Sequence, residues 1–199
     1  MVVTRERLEQ GMTYEQFVAG MTKNQERLHQ SEQATNIDQD DLDFFRRLPA
    51  PLDVLVLAED WCGDVIANLP VLAQLAAKSG KLRPRIFLRD QNDDLMSLFL
   101  KEGQFKSIPV FVPFDANLNE LGRFIERPEA FTSLRTQRRQ ELYAAHPEIG
   151  DAATPVDSLT DAQRQARQSH LAQLEAELVP ERVRMVVQDL RTIVESAAH

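Results

Sequence analysis

The stretch "VLVLAEDWCGDVIANLP", residues 54–70, carries three signals in one run. Val54 to Ala58 is a short apolar block of the kind that forms a strand buried on both faces. From Cys62 onward, Val65, Leu69, Leu72 and Leu75 or Ala76 recur at helical spacing, and Gly80 is placed to close that helix in a left-handed C-cap. Between strand and helix stand Trp61 and Cys62, so the thiol falls at a helix N-terminus. Unpaired backbone N–H groups and the positive end of the dipole favour thiolate there, which is the reactive form of Cys. Pro70 lies inside the helical pattern.

Working outward, the residues before this stretch read as helices. In "TYEQFVAGMTKNQERLHQ", Thr13 and Gln16 make a capping-box pattern, and Phe17, Met21 and Leu28 follow at helical spacing. "NIDQDDLDFFRRL" has acids at its start and Arg46-Arg47 near its end, as a helix dipole favours. Pro49 and Pro51 close this arm. Downstream, "RPRIFLRD" reads as a strand, "NDDLMSLFLKEGQ" as a helix, "SIPVFVPFD" and "NELGRFI" as two strands around a turn at Asp115–Leu118, and "RPEAFTSLRTQRRQELYAA" as a helix. Seven of the ten Phe residues fall between 87 and 131, which places one compact core there.

The element order is β-α-β-α-β-β-α: a right-handed parallel crossover, then an antiparallel hairpin. "HPEIGDAATPVDSL" reads as a linker and is followed by two helices. Their apolar stripe runs through Leu171, Leu174, Leu178, Val183, Val186 or Val187, Leu190 and Ile193. Such a stripe packs on the protein's own core or makes a partner surface. The expected organisation is therefore an N-terminal helical arm (1–50), an α/β core (51–145), and a linker with a C-terminal helical extension (146–199).

Composition narrows the function. At 199 residues, 43% hydrophobic and 27% charged, the chain can bury a core and is not disordered by default. A net charge of −8 argues against nucleic acid and anionic membranes as partners, since both need a basic footprint. No apolar run has the length of a membrane span, and "MVVTRERLEQ" lacks the apolar block of a signal peptide, so a cytoplasmic location is expected. The single Cys excludes an intramolecular disulfide and an internal dithiol cycle. One Cys and four scattered His do not suggest a cysteine-ligated zinc site, and no metal is expected. His29, His146, His170 and His199 share no spacing with Cys62 that would make a Cys-His pair.

This order of elements, with a Cys where the first strand meets its helix, resembles the thioredoxin fold. Trp61-Cys62-Gly63 matches that family's Trp-Cys-Gly, Pro70 its kink proline, and Ile108-Pro109 its cis-proline with the preceding residue. The resemblance covers roughly residues 51–142. "EDWCGD", with "RDQNDDLM" and "SIPVF…ELGR" downstream, is most similar to a bacterial thioredoxin-like branch bearing Trp-Cys-Gly-Asp.

The departures are equally specific. Val65 stands where the family has its second Cys, Asp64 where it has the intervening Pro, and Val56 where many members carry a buried acid. Pro113 falls within a strand that the fold makes central, where a missing N–H is disfavoured, so a bulge or early fraying is expected there.

The resemblance implies a site. Cys62 would be the nucleophile. Trp61, Gly63, Asp64, Ile108 and Pro109 would border an apolar, peptide-sized groove. Glu59, Asp60 and Asp64 would raise the thiol by like-charge proximity, and Arg127 would offset part of this if its loop faces the motif.

A lone thiol can form a mixed disulfide but cannot release itself, because release needs a second thiolate. Two readings follow. One is a monothiol protein whose mixed disulfide or glutathionylation at Cys62 is released by an external thiol, with glutathione or another small thiol as co-substrate and protein thiols or extended peptides as partners. The other is a redox-inactive adaptor that uses the Trp61/Ile108-Pro109 groove. A peroxide-reactive or metal-cluster role with glutathione comes third, because "CGDV" does not match the motif of monothiol glutaredoxins.

Overall fold

The computed structural model of the chain describes residues 3–196. His199 and the two residues before it, the end of the expected C-terminal extension (146–199), lie outside them. By packing, the described residues up to Pro128 together with those from Val183 form one compact unit, and Glu129–Arg182 forms a second.

In the first unit four short helices come first: α1 (Arg5–Glu9), α2 (Tyr14–Gly20), α3 (Gln25–Ala34) and α4 (Gln39–Arg46). The Thr13/Gln16 capping box is present at α2. The helical pattern from Thr13 to Gln30 is nevertheless broken. Met21 is extended (ψ 134°) and Asn24 is left-handed (φ 56°). The cause is non-local: the Asp60 carboxylate accepts the N–H groups of Thr22 and Lys23 at 2.7 and 2.9 Å, taking them out of a helical ladder.

The sheet follows. β1 (Leu52–Ala58) is buried along its whole length. It leads through the Trp61-Cys62 turn into α5 (Gly63–Ser79), which carries Pro70 inside it and ends on Gly80 at φ 66°. β2 (Leu82–Leu88) returns parallel to β1, with Leu52 opposite Leu82 and Ala58 opposite Leu88. The expected helix after β2 shrinks to one turn, α6 (Asp93–Met96). Beyond it the chain makes a tight Lys101–Phe105 bridge and then reaches β3 (Val110–Phe114). Gly103 at φ 70° and Glu102 at φ 54° favour that turn over a continued helix.

β3 is antiparallel to β1 and to β4 (Phe124–Ile125), giving the sheet order β2-β1-β3-β4. The expected bulge at Pro113 is absent. The register with β1 runs continuously from Val110↔Leu57 to Phe114↔Asp53, with Pro113 opposite Val54. The Pro113 carbonyl accepts the Leu121 N–H at 3.0 Å, so its backbone polar groups face away from β1 and the missing N–H breaks no bond in that ladder. The pairing of β3 with β4 stops at Phe111↔Phe124, before Pro113 is reached.

The second unit contains α7 (Glu129–Ala145), two single 3₁₀ turns and α8 (Asp161–Glu177). The last helix, α9 (Val179–Ser196), lies in the first unit from Val183 onward and buries Val183, Val186, Val187, Leu190 and Val194 there. Arg191 reaches Asp41 at 3.4 Å and sits 4.5 Å over the Phe44 ring, so this part of the stripe packs on the chain's own helical arm. Taken in chain order, β1 to α7 make a thioredoxin-like α/β fold with helical extensions on both sides. No described helix is long and apolar enough to cross a membrane.

Candidate functional site

Cys62 is the N-cap of α5, with extended backbone (φ −84°, ψ 120°), and is partly buried. Its Sγ donates to the Ile108 carbonyl oxygen at 3.5 Å. The Ile108–Pro109 peptide bond is cis, as the resemblance implied. The motif and the proline loop, far apart in sequence, thus meet at the sulfur. Ile108 and Pro109 are buried, Gly63 is exposed, and Trp61 is 42% exposed. A Cβ built on Gly63 would meet nothing within 4 Å, so the space beside the thiol on that side is open.

Burial pushes the Cys62 thiol above its ordinary value. The N–H groups of Val65 and Asp64 pull it down, the Asp64 carboxylate pushes it up, and the Arg89 guanidinium pulls it down. Those N–H groups make no cap hydrogen bond to the sulfur. The direction agrees with the expectation from the three neighbouring acids, but the leading cause is burial. Among the acids, Asp64 contributes most.

Glu59 and Asp60 are committed elsewhere. Glu59 is buried and accepts the Asp90 N–H at 2.8 Å. Asp60 accepts from Thr22 and Lys23; burial pulls its carboxyl upward, but these N–H groups outweigh it and hold the carboxyl below the usual range. Arg127 does face the motif: its Nη2 donates to Asp64 Oδ2 at 2.5 Å and to Glu126 Oε1 at 2.7 Å. Val65, in the first turn of α5, is fully buried on its core face.

Three further residues belong to this constellation. Arg89 follows β2. Its guanidinium carbon lies 4.8 Å from the Trp61 ring centroid, and its Nη1 donates to the Lys106 carbonyl at 3.1 Å. It thereby joins the Trp to the loop that leads to Pro109. The signal for it was the parallel register, which sets Leu88 beside Ala58 and so brings the next residues of both strands to one end of the sheet.

Glu126 is left-handed (φ 69°), and its N–H donates to the Pro109 carbonyl at 2.7 Å. Burial raises its carboxyl, but Lys101 and Arg127 outweigh this and hold it below the usual range. Asn68, fully buried, donates to the Glu126 carbonyl at 3.0 Å. An amide between Val65 and Leu69 on an otherwise apolar helix face was the sequence signal for that contact.

A mixed sheet in the order β2-β1-β3-β4, a Trp-Cys turn at the head of α5 and a cis-proline loop against the sulfur define a thioredoxin-fold protein whose thiol stands where β1 meets α5. The family described as "Thioredoxin" matches residues 11–139, most of the chain, and the chain belongs to it. Among solved structures, the chain is similar to a protein of unknown function from Pseudomonas aeruginosa. That likeness has a TM-score of 0.64 at 19% identity and covers 98% of this chain and 99% of the other. It is also similar to an HIV epitope-scaffold protein, with a TM-score of 0.61 at 18% identity and coverage of 97% and 98%. At these identities the likeness concerns the fold. No curated protein matches the chain.

Proposed function

We propose that this protein is a monothiol exchange protein of the Trp-Cys-Gly-Asp branch, acting in the cytoplasm through Cys62. The reading rests on one observation: the only thiol sits at the N-cap of α5 with its sulfur against the Ile108 carbonyl. The Cys62 thiolate attacks a disulfide. One sulfur–sulfur bond forms at Cys62 and the other half of the disulfide leaves as thiolate. An external thiolate, from glutathione or a comparable small thiol, then attacks the mixed disulfide and restores Cys62. Val65 cannot take that second part. Protein disulfides in extended segments are the substrates that a surface around Trp61 and the Pro109 loop would accept.

Incubation with oxidised glutathione at neutral pH, followed by intact mass, tests this. The expected result is a single adduct on Cys62 that excess reduced thiol removes. No adduct over hours, from protein whose thiol was reduced at the start, overturns the exchange reading. Insulin reduction driven by a dithiol is expected to be weak.

One observation favours the adaptor reading instead: burial holds the thiol above its ordinary value while Trp61 stays exposed beneath Arg89. Under that reading the Trp61 surface binds extended peptide with equal affinity in the wild type and in Cys62→Ser.

A further inference from the structure

The second unit holds a side-chain cluster that the thiol site does not use. His146 follows the end of α7, Glu148 lies in the 3₁₀ turn Pro147–Ile149, and His170 lies on α8. The two imidazoles stack with centroids 3.9 Å apart and planes inclined by 30°. Nδ1 of His146 is 3.0 Å from Glu148 Oε1. One ligand atom from each of the three residues can be chosen so that all lie within 4.8 Å of one another. Donors around a tetrahedral cation with metal–nitrogen bonds of zinc length stand roughly 3.3 Å apart. Closing this difference takes rotation of the side chains, of which that of Glu148 is exposed and those of His146 and His170 are partly exposed.

The backbone around the cluster is held by α8 itself. Gln163 Nε2 donates to the Glu148 carbonyl at 2.9 Å. The buried Arg167 donates to the carbonyls of Ile149, Asp151 and Thr154 at 2.9, 3.1 and 3.1 Å. Gln163, Arg167 and His170 follow at four- and three-residue spacing, so they share one face of the helix. The face that presents His170 therefore also fixes the turn that presents Glu148. Such fixed supports keep donors near a productive geometry. Beside the imidazoles lies a cavity of about 500 Å³, also lined by Glu141, Glu177 and Arg138, with room for water or a further ligand on a bound ion.

We propose that His146, Glu148 and His170 bind a divalent first-row transition cation of the zinc type, with at least one coordination position open to this cavity. Two imidazoles and one carboxylate suit Zn²⁺, Co²⁺ or Ni²⁺, whereas Ca²⁺ and Mg²⁺ prefer oxygen donors throughout. The proposal departs from the expectation of no metal, which took the histidines as scattered. The fold brings two of them into contact.

The test uses the full chain with Cys62→Ser, so that the thiol contributes nothing, after removal of metal by chelation. Zn²⁺ is titrated by calorimetry and Co²⁺ by visible absorption. One ion per chain is expected, with ligand-field bands of a nitrogen/oxygen site and little competition from equimolar Mg²⁺. His146→Ala and His170→Ala each weaken binding by roughly tenfold or more, at least the loss that outer-shell changes bring. Glu148→Gln weakens it less, and His29→Ala leaves it unchanged.

Circular dichroism checks that the variants fold. An independent reading on folded protein without histidine changes follows the imidazole ¹⁵N resonances, where two histidines are expected to shift together with Zn²⁺. Absence of stoichiometric binding, binding that survives both histidine variants, or unmoved resonances of His146 and His170 overturns the proposal and leaves a stacked imidazole pair.

Discussion

At Cys62, placement and burial pull in opposite directions. The N-cap position of α5 and the nearby Arg89 favour thiolate, while burial and the Asp64 carboxylate favour the protonated thiol. The net direction is upward, so alkylation by iodoacetamide should keep accelerating from pH 6 to beyond about pH 8.5, the ordinary Cys value, without a plateau. A plateau near pH 7 in a stopped-flow profile contradicts this.

The linkage has a definite sign. A thiol that holds its proton more tightly when folded contributes stability that is present below the ordinary Cys value and lost as pH rises through the folded value. The neighbouring charges should split: Asp64→Asn speeds alkylation at pH 7 and Arg89→Ala slows it, each by roughly two- to fivefold, the scale of a partly screened charge pair. Unchanged alkylation rates in both variants would show that burial alone controls the thiol.

At the scale of elements, Asp60 makes the clearest case. It caps the break between α2 and α3, with Thr22 Oγ1 also donating to it at 3.1 Å and Asn24 donating to its backbone carbonyl at 2.9 Å. Asp60→Ala should cost about 1–3 kcal/mol, the scale of leaving such donors without their partner. It should also raise hydrogen exchange in residues 21–25 before the sheet opens. Uniform exchange across the chain, or a change under a few tenths of a kcal/mol, argues that the segment is held by packing alone.

The same residue shows what the amino-acid order could and could not convey. β1, α5 and the left-handed Gly80 were legible, because apolar periodicity and a C-cap are local properties. So was the meeting of Cys62 with Ile108-Pro109, through resemblance. The break at Met21–Asn24 was not, since its cause lies at Asp60, and Arg89 became visible only through strand register. Pro113 misled because a missing N–H matters only on the side to which it points.

At the scale of the whole molecule, the first unit draws on both ends of the chain. Arg5 of α1 and Arg83 of β2 both pair with the buried Asp53 of β1, at 3.0 and 2.9 Å. From the other end, α9 places Ile193 over Gly122, in the connection between β3 and β4. A Cβ built on Gly122 would lie 3.0 Å from Ile193 Cγ2, and Gly122 has φ 152°, a conformation that side chains rarely adopt. Two separable costs therefore attach to Gly122→Ala: a steric one, set by Ile193, and a backbone one, set by φ.

The single variant should destabilise the protein by about 1–3 kcal/mol in urea melts. Ile193→Ala alone should cost about 1–2 kcal/mol for the lost apolar packing, because this side chain is only partly buried. The double variant should cost less than the sum, by the steric share alone, because the backbone cost survives removal of the Ile side chain. Strict additivity would mean that the approach of α9 to Gly122 is slack in solution, and that the C-terminal helix covers the fold without constraining the hairpin that follows the proline loop.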